Sequence, residues 1–255
     1  MSSTPPVPLI QQLSEFSACE VSDALVKLGS PNGGHIPDIQ LVSPSGSGQI
    51  ICGPAYTVQM VFSSDTTAPK LSSHFVDTAP AGSVIVINAP PSSVRLLSEG
   101  DLKIDRSSLV AAKNAVWGGL MSAGAQVRNT LGVVISGRCR DVQEHNDLGY
   151  PVFSRGRSTL GQTPFTRPSA INLPLEIHPQ GAEESFPPVT VHPGDYIVAD
   201  VDGVVCIPQK DIQEVVELAR KGKQTDERCM EDIKAGKGVG ITLTTQRGLT
   251  RLNLS

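Results

Sequence analysis

Residues 118–155 read G-G-L-M-S-A-G-A-Q-V-R-N-T-L-G-V-V-I-S-G-R-C-R-D-V-Q-E-H-N-D-L-G-Y-P-V-F-S-R, and their pattern decides the fold class. Gly118 and Gly119 fall inside residues 107–124, a stretch with helical patterning. Two adjacent glycines cost a helix interior about 1 kcal/mol each relative to alanine. They therefore mark a helix start, or a loop where backbone must come close to something. Val133–Ser136 is a short apolar run of the kind buried on both faces of a sheet. Gly137–Arg140 reads as its turn, Asp141 opens a short helix ending near Gly149, and Pro151–Ser154 is strand again. Strand and helix alternate, which predicts an α/β domain.

Working outward, Ser83–Asn88 (S-V-I-V-I-N) is a second buried strand, stopped by Ala89-Pro90-Pro91. Gln49–Phe62 is β-like, with Tyr56, Val58, Met60 and Phe62 recurring at period two. Leu9–Leu28 has helical spacing broken near Ser17–Glu20. It predicts two short helices, the second capped near Ser22 and Asp23 and ended by Gly29. Residues 30–47 and 155–188 are read as loop; the latter holds six prolines, which interrupt long helices and central strands. Val189–Val191, Tyr196–Ala199 and Val204–Ile207 form a small β unit around the turns His192–Asp195 and Asp200–Gly203. Gln209–Gly236 is one long amphipathic helix flawed at Gly222. The expected organisation is a proline-rich tail (1–8), one catalytic α/β domain (9–236) with a long C-terminal helix, and a polar arm (237–255).

Composition narrows the function. The chain has 255 residues, and 39% of them are apolar, enough for a real core and too many for a disordered chain. Lys and Arg number 21 against 25 Asp and Glu, a net charge of −4. That balance argues against nucleic-acid or anionic-membrane partners, which select a basic excess. No apolar run reaches the roughly 18 residues of a membrane span, and no secretory signal is read at the start, so a cytoplasmic protein is expected. The cysteines Cys19, Cys52, Cys139, Cys206 and Cys229 are odd in number and widely spaced. That pattern favours reduced thiols over a disulfide framework or a zinc ribbon.

The chemistry concentrates at Gly118–Met121 and Arg140–Glu144. A helix start carries unpaired N–H groups and a positive dipole end, suited to a carboxylate or phosphate. Arg140 and Asp141 follow a buried strand, so they project from the carboxyl end of the sheet, where α/β proteins bind ligands. The planar fork of Arg140 suits a carboxylate or enolate oxygen. Asp141 is a hard oxygen donor for Mg²⁺ or Mn²⁺, and Glu144, one helical turn on, can face the same way. The same spacing also fits a capping box, with Asp141 as N-cap and Glu144 at N3. Lesser candidates are Asn88 at a strand end, Cys139, His145 as a ligand or an exposed helix histidine, and Asp200-x-Asp202 as a metal pair or a turn. Glu227 and Glu231 read as a solvated face. His35, His74, His178 and His192 lack ligand spacing, and Gly236–Gly240 lacks the spacing of a phosphate loop.

Residues 118–155 also resemble the 4-hydroxy-4-methyl-2-oxoglutarate aldolase family, which includes the ribonuclease-regulator A-like proteins. The shared pattern is Gly or Asp, twenty residues, Arg-Asp, two residues, then Glu or Asp; here it is Gly119, Arg140, Asp141 and Glu144. Cys19–Leu25, Gly53–Val58 and Pro193–Val205 agree with it, and the likeness leans to the fungal type. The resemblance implies a swivelling β/β/α fold of the ribonuclease-regulator A-like type, assembled as a homotrimer or homohexamer with sites between subunits. It implies a lyase that cleaves a C–C bond of a 2-oxo diacid through a pyruvate enolate, by oxaloacetate decarboxylation or retro-aldol cleavage. In that scheme Asp141 binds Mg²⁺ or Mn²⁺, and Arg140 the substrate's keto or enolate oxygen. Backbone amides from Gly118 through Gly119, Leu120 and Met121 hold its carboxylate, and Glu144 reaches the metal through a water. The rival readings are a non-catalytic oligomeric regulatory protein of the same fold, and a specialised-metabolism enzyme reusing the metal-enolate site with a pocket altered in residues 156–188.

Overall fold

The computed structural model describes residues 8–44, 49–90, 112–180 and 186–247. Two helices open it, α1 (Leu9–Leu13) and α2 (Ala18–Lys27). Strands β1 (Gln40–Ser43), β2 (Ile51–Phe62), β3 (Val84–Asn88) and β4 (Ala115–Trp117) follow. Then come α3 (Gly119–Val127), β5 (Gly132–Cys139), α4 (Val142–Leu148), β6 (Val152–Arg157), β7 (Thr166–Ile171), β8 (Leu175–Ile177), β9 (Val189–Val191), β10 (Tyr196–Asp200) and β11 (Gly203–Ile207). Helices α5 (Ile212–Lys234) and α6 (Val239–Arg247) close it.

Nine strands form one sheet in the order β1-β6-β5-β3-β2-β10-β11, with β4 added to β5 and β7 to β2. The centre is parallel: β2, β3, β5 and β6 run the same way, as does β4. Such a centre needs cover on both faces, and the sequence supplies it. Ile85, Ile87, Val133 and Ile135 face one way, against Phe75, Trp117 and Tyr150. Val84, Val86 and Val134 face the other, against Leu175, Ile177, Val189 and Val191 of the β8–β9 pair. A third cluster packs α1, α2 and α5 on the hairpin β10–β11 through residues such as Leu13, Phe16, Val205 and Val215.

Several local expectations are corrected. The N-cap of α2 is Ser17, five residues before Ser22: its hydroxyl accepts from Glu20 N (3.2 Å) while Glu20 Oε2 accepts from Ser17 N (2.8 Å). Gly29 ends that helix as expected, at φ +89°. Residues 115–117 are strand rather than helix, so the helix begins at the glycine pair. The strand before Arg140 runs on through the expected turn to Cys139. Gly137 permits this, since a Cβ there would lie 2.6 Å from Ala89 Cβ. Strands β1, β7 and β8 form inside stretches read as loop. Helix α5 runs through Gly222 unbroken, its packed face (Val215, Val216, Ala219) outweighing the propensity cost. It ends at Lys234, two residues before the left-handed Gly236, and Lys237–Arg247 of the expected arm fold back, Gln246 donating to Asp232. Residues 1–7, 107–111 and 248–255, which carry the rest of the expected tail, helix and arm, lie outside the described residues.

The Asp200-x-Asp202 pair is structural. Asp200, 6% exposed, accepts from Ala18 N at the start of α2 (2.8 Å) and from Asp202 N in the hairpin turn (2.9 Å). Asp200→Ala should therefore destabilise the fold by about 1–3 kcal/mol, since it orphans a buried N–H. Urea unfolding checks this, and a change under about 0.5 kcal/mol would remove the capping role.

Candidate active site

Strand β4 ends at Trp117 and hands the chain to α3 through Gly118, whose backbone is extended (φ −144°). Neighbouring β5 ends at Cys139 and turns into α4 through Asp141. Asp141 is left-handed, at φ +60°. That conformation is costly for most side chains, tolerated best by Asn and Asp, and concentrated at functional sites. It turns the Asp141 carboxylate away from its own helix. No side-chain cap forms on α4, so the capping-box alternative is ruled out. Oδ2 instead accepts from Gly119 N (3.1 Å) and from Arg140 Nε (3.2 Å).

The glycine pair makes room for these carboxylates. A Cβ on Gly118 would lie 2.6 Å from Asp141 Oδ2. A Cβ on Gly119 would fall on the Glu144 carboxylate, with Cδ at 2.5 Å and Cβ at 2.8 Å. Neither glycine has a positive φ, so what each answers is the close approach of these side chains: a larger residue at 118 or 119 would displace Asp141 or Glu144. Arg140, Asp141 and Glu144 are brought together with Gly118 and Gly119, as the spacing predicted.

Gly118, Arg140 and Asp141 border a cleft of about 330 Å³, walled by β4, the start of α3, and Gly161–Thr163 of the β6–β7 loop. The Arg140 and Asp141 side chains are 44% and 29% exposed. The expected amide cradle shrinks on inspection. Gly119 N–H is committed to Asp141, and Met121 N–H donates to the Gly118 carbonyl (3.1 Å). At the second helical position Leu120 N–H has no intrahelical partner, so it is open to an anion. The Leu120 side chain itself is 89% exposed.

Beneath the cleft runs a polar relay. Trp117 Nε1 donates to Ser122 Oγ (2.8 Å), which lies 2.9 Å from His145 Nδ1. Tryptophan only donates, so Ser122 Oγ accepts from it, and the direction of the Ser122–His145 bond follows the imidazole tautomer. His145 is fully buried rather than an exposed helix residue, and Nε2 has no hydrogen-bond partner among the described residues. The relay ties β4, α3 and α4 together under the residues they present. The spacing Val142, His145, Leu148 was the available signal: His145 takes a core-facing position of α4.

Other candidates leave the site. Asn88 bonds to Gln59 Oε1 (3.4 Å) and the Glu176 carbonyl (3.2 Å). Cys139 is buried with Sγ 3.3 Å from Ser154 Oγ, and burial pushes its thiol up, away from reactivity. Glu227 and Glu231 are exposed. No group of three or more His, Cys, Asp or Glu that could hold a metal occurs among the described residues. The carboxylates here that could hold a metal are Asp141 and Glu144. That fits Mg²⁺ or Mn²⁺, which take one or two protein carboxylates and retain waters.

Comparisons with known proteins give the family and the fold. Residues 18–206 match the family described as RraA-like, Aldolase/RraA. Protein DlpA of Legionella pneumophila is 31% identical over 229 residues, which are 89% of this chain and 32% of DlpA, so the chain spans about a third of that relative. A putative 4-hydroxy-4-methyl-2-oxoglutarate aldolase of Halalkalibacterium halodurans is 30% identical over 190 residues, 74% of each protein. The crystal structure of an uncharacterized protein from Pseudomonas syringae pv. tomato superposes with a TM-score of 0.70 at 29% identity, covering 94% of this chain and 99% of that one.

Burial pushes the His145 imidazole below its ordinary range, opposed by the Arg140 backbone carbonyl and the Asp141 and Glu144 carboxylates. The unfolded chain thus takes up a proton that the folded one resists. The stability His145 confers is present above the ordinary histidine pKa of about 6.5 and lost as pH falls through the lower folded value. In metal-free protein the urea midpoint of the wild type should fall more steeply between about pH 7.5 and 5 than that of His145→Gln. Parallel curves would contradict this.

Proposed function

The chain belongs to the RraA-like Aldolase/RraA family, and on that premise we propose that it is a divalent-metal-dependent lyase. It would cleave a C–C bond of a 2-oxo diacid, by oxaloacetate decarboxylation, retro-aldol cleavage of a 4-hydroxy-2-oxo diacid, or both. One observation carries the reading. Asp141 adopts a left-handed conformation that sends its carboxylate out of its own helix, to the guanidinium of Arg140 and the start of α3, at the mouth of a cleft.

Asp141 would hold Mg²⁺ or Mn²⁺ directly, and Glu144 through a water. Bound there, the cation supplies Lewis-acid stabilisation of negative charge on the 2-oxo oxygen. The protein's own groups do the rest. Arg140, tethered at Nε by Asp141, presents its remaining N–H groups to that oxygen as charge develops. Leu120 N–H, at the positive end of α3, holds the 1-carboxylate. Loss of CO₂ from oxaloacetate needs no base for the cleavage step. Retro-aldol cleavage does, because the 4-hydroxyl must lose its proton, and Glu144 is the carboxylate placed to direct a water to it.

The same reading accommodates assembly. Leu120 and Val127, 89% and 81% exposed, lie on the outer face of α3 beside the cleft. Apolar side chains there suit burial against another copy, as in the expected homotrimer or homohexamer. Among the described residues no helix is long and apolar enough to cross a membrane, and the proposal places the enzyme in the cytoplasm.

Arg140→Ala and Asp141→Asn should each lower kcat/KM for pyruvate release from oxaloacetate by about 100-fold or more with the fold intact. Asparagine is chosen at 141 because it tolerates the left-handed conformation. A chelator should abolish turnover and added Mg²⁺ or Mn²⁺ restore it. Undiminished turnover in either variant, at matched circular dichroism, defeats the assignment.

A further inference from the structure

The loop between β6 and β7 is fastened to the two strands that flank Arg140. Ser158 N–H donates to the carbonyl of Cys139, the residue just before Arg140 (2.9 Å). Ala115 N–H, at the start of β4, donates to the Leu160 carbonyl (2.9 Å). Leu160 N–H closes back on Ser158 Oγ (3.1 Å), and Phe165 and Thr166 N–H both donate to the Gln162 carbonyl (2.9 Å each). Gly161 sits between these anchors and so has a fixed place over the Arg140 side chain. A Cβ at 161 would lie 2.8 Å from Arg140 Nη1 and 3.6 Å from Cζ. Gly161 has no positive φ, so its missing side chain answers this approach and not a backbone demand.

Arg140 needs such a constraint. Its side chain is 44% exposed, and its one hydrogen bond among the described residues is Nε to Asp141. A long arginine side chain held at a single atom retains much rotamer freedom. Nε is tied to Asp141, and Nη1 lies 2.8 Å from where a Cβ on residue 161 would be, so only a residue without a side chain leaves the guanidinium this place.

We propose that Gly161 is a positioning residue for Arg140: the bare backbone of a loop anchored on β4 and β5 confines the guanidinium to the orientation that faces the cleft. A side chain at 161 pushes the flexible arginine outward into solvent instead of breaking the fold. The catalytic consequence rests on the lyase reading above; the conformational one does not.

Two readouts separate them. The first is kcat/KM for pyruvate release from oxaloacetate with Mg²⁺, for Gly161→Val and Gly161→Ala, each alone and combined with Arg140→Ala. The valine variant should lose about tenfold or more when Arg140 is present and less than about twofold when it is absent, because coupled residues are not additive. The second uses no turnover. The Arg140 Nε–H resonance, assigned by its loss in Arg140→Lys, should exchange with solvent about tenfold faster or more in Gly161→Val than in the wild type. Equal losses in both backgrounds, or an Nε–H as protected in Gly161→Val as in the wild type, overturns the proposal. If the wild type releases no pyruvate, the lyase reading fails and the resonance alone decides the role of Gly161. Should the valine variant not fold, the alanine variant carries the same comparisons.

Discussion

One carboxylate oxygen organises the site. Asp141 Oδ2 receives the first amide of α3 and the Nε of Arg140 at once. It can do so because the Asp141 backbone is left-handed, which reverses the side chain relative to the helix it precedes. Two helix starts and a guanidinium are thereby drawn to one point at the carboxyl end of the parallel strands. The conformational cost of that backbone, of order 1–3 kcal/mol, is offset by a charge-assisted bond to each partner. The glycine pair follows from the same geometry: side chains at 118 and 119 would occupy the space of Asp141 and Glu144.

Precision at this point depends on the layer below. Trp117 packs against Phe75 and Tyr150, with ring centroids 6.3 Å away in each case. Its indole N–H opens the relay through Ser122 to His145. Each relay member belongs to an element that carries a site residue: Trp117 precedes the glycine pair, Ser122 lies one turn into α3, and His145 follows Glu144. A buried polar chain of this kind rigidifies what it joins, because any shift leaves a desolvated donor or acceptor unpaired. The apolar sheet face sets where α3 and α4 can sit, and the relay sets how they face one another.

Much of this was legible in the sequence, for definite reasons. The runs 83–88 and 133–136 are short, apolar and bounded, so they read as buried strands, and both are. The glycine pair read as a helix start, and Arg140–Glu144 as its neighbour, because strand ends in α/β folds converge. Illegible was whatever depends on one dihedral angle or on contacts remote in sequence. Spacing could not separate a capping box from a ligand pair at Asp141-x-x-Glu144, since both put the carboxylates on one turn; the left-handed backbone at Asp141 excludes the capping box. Strands β1, β7 and β8 were missed because they are short or proline-bearing and take their order from their neighbours. Gly161 carries no local signal, and its meaning appears only when the loop lies across Arg140.

The mutual position of Gly119 and Glu144 bears on which reactions the site can support. The Glu144 carboxylate fills the volume that a side chain at 119 would enter. An acid can therefore reach this corner from α3 or from α4, but one backbone arrangement cannot hold both. In this chain it comes from α4, on a longer side chain with more rotamer freedom than an aspartate at 119 would have. In the proposed reaction, charge stabilisation by Arg140 would be indifferent to that choice, since it would act on the 2-oxo oxygen. Proton transfer at the far end of the substrate is not indifferent, because a general base works only within hydrogen-bond reach of its proton. Under the proposed lyase reading, the half of the chemistry that needs only an electron sink would be the less demanding one, and the base-dependent half would hinge on how firmly Glu144 is held over Gly119.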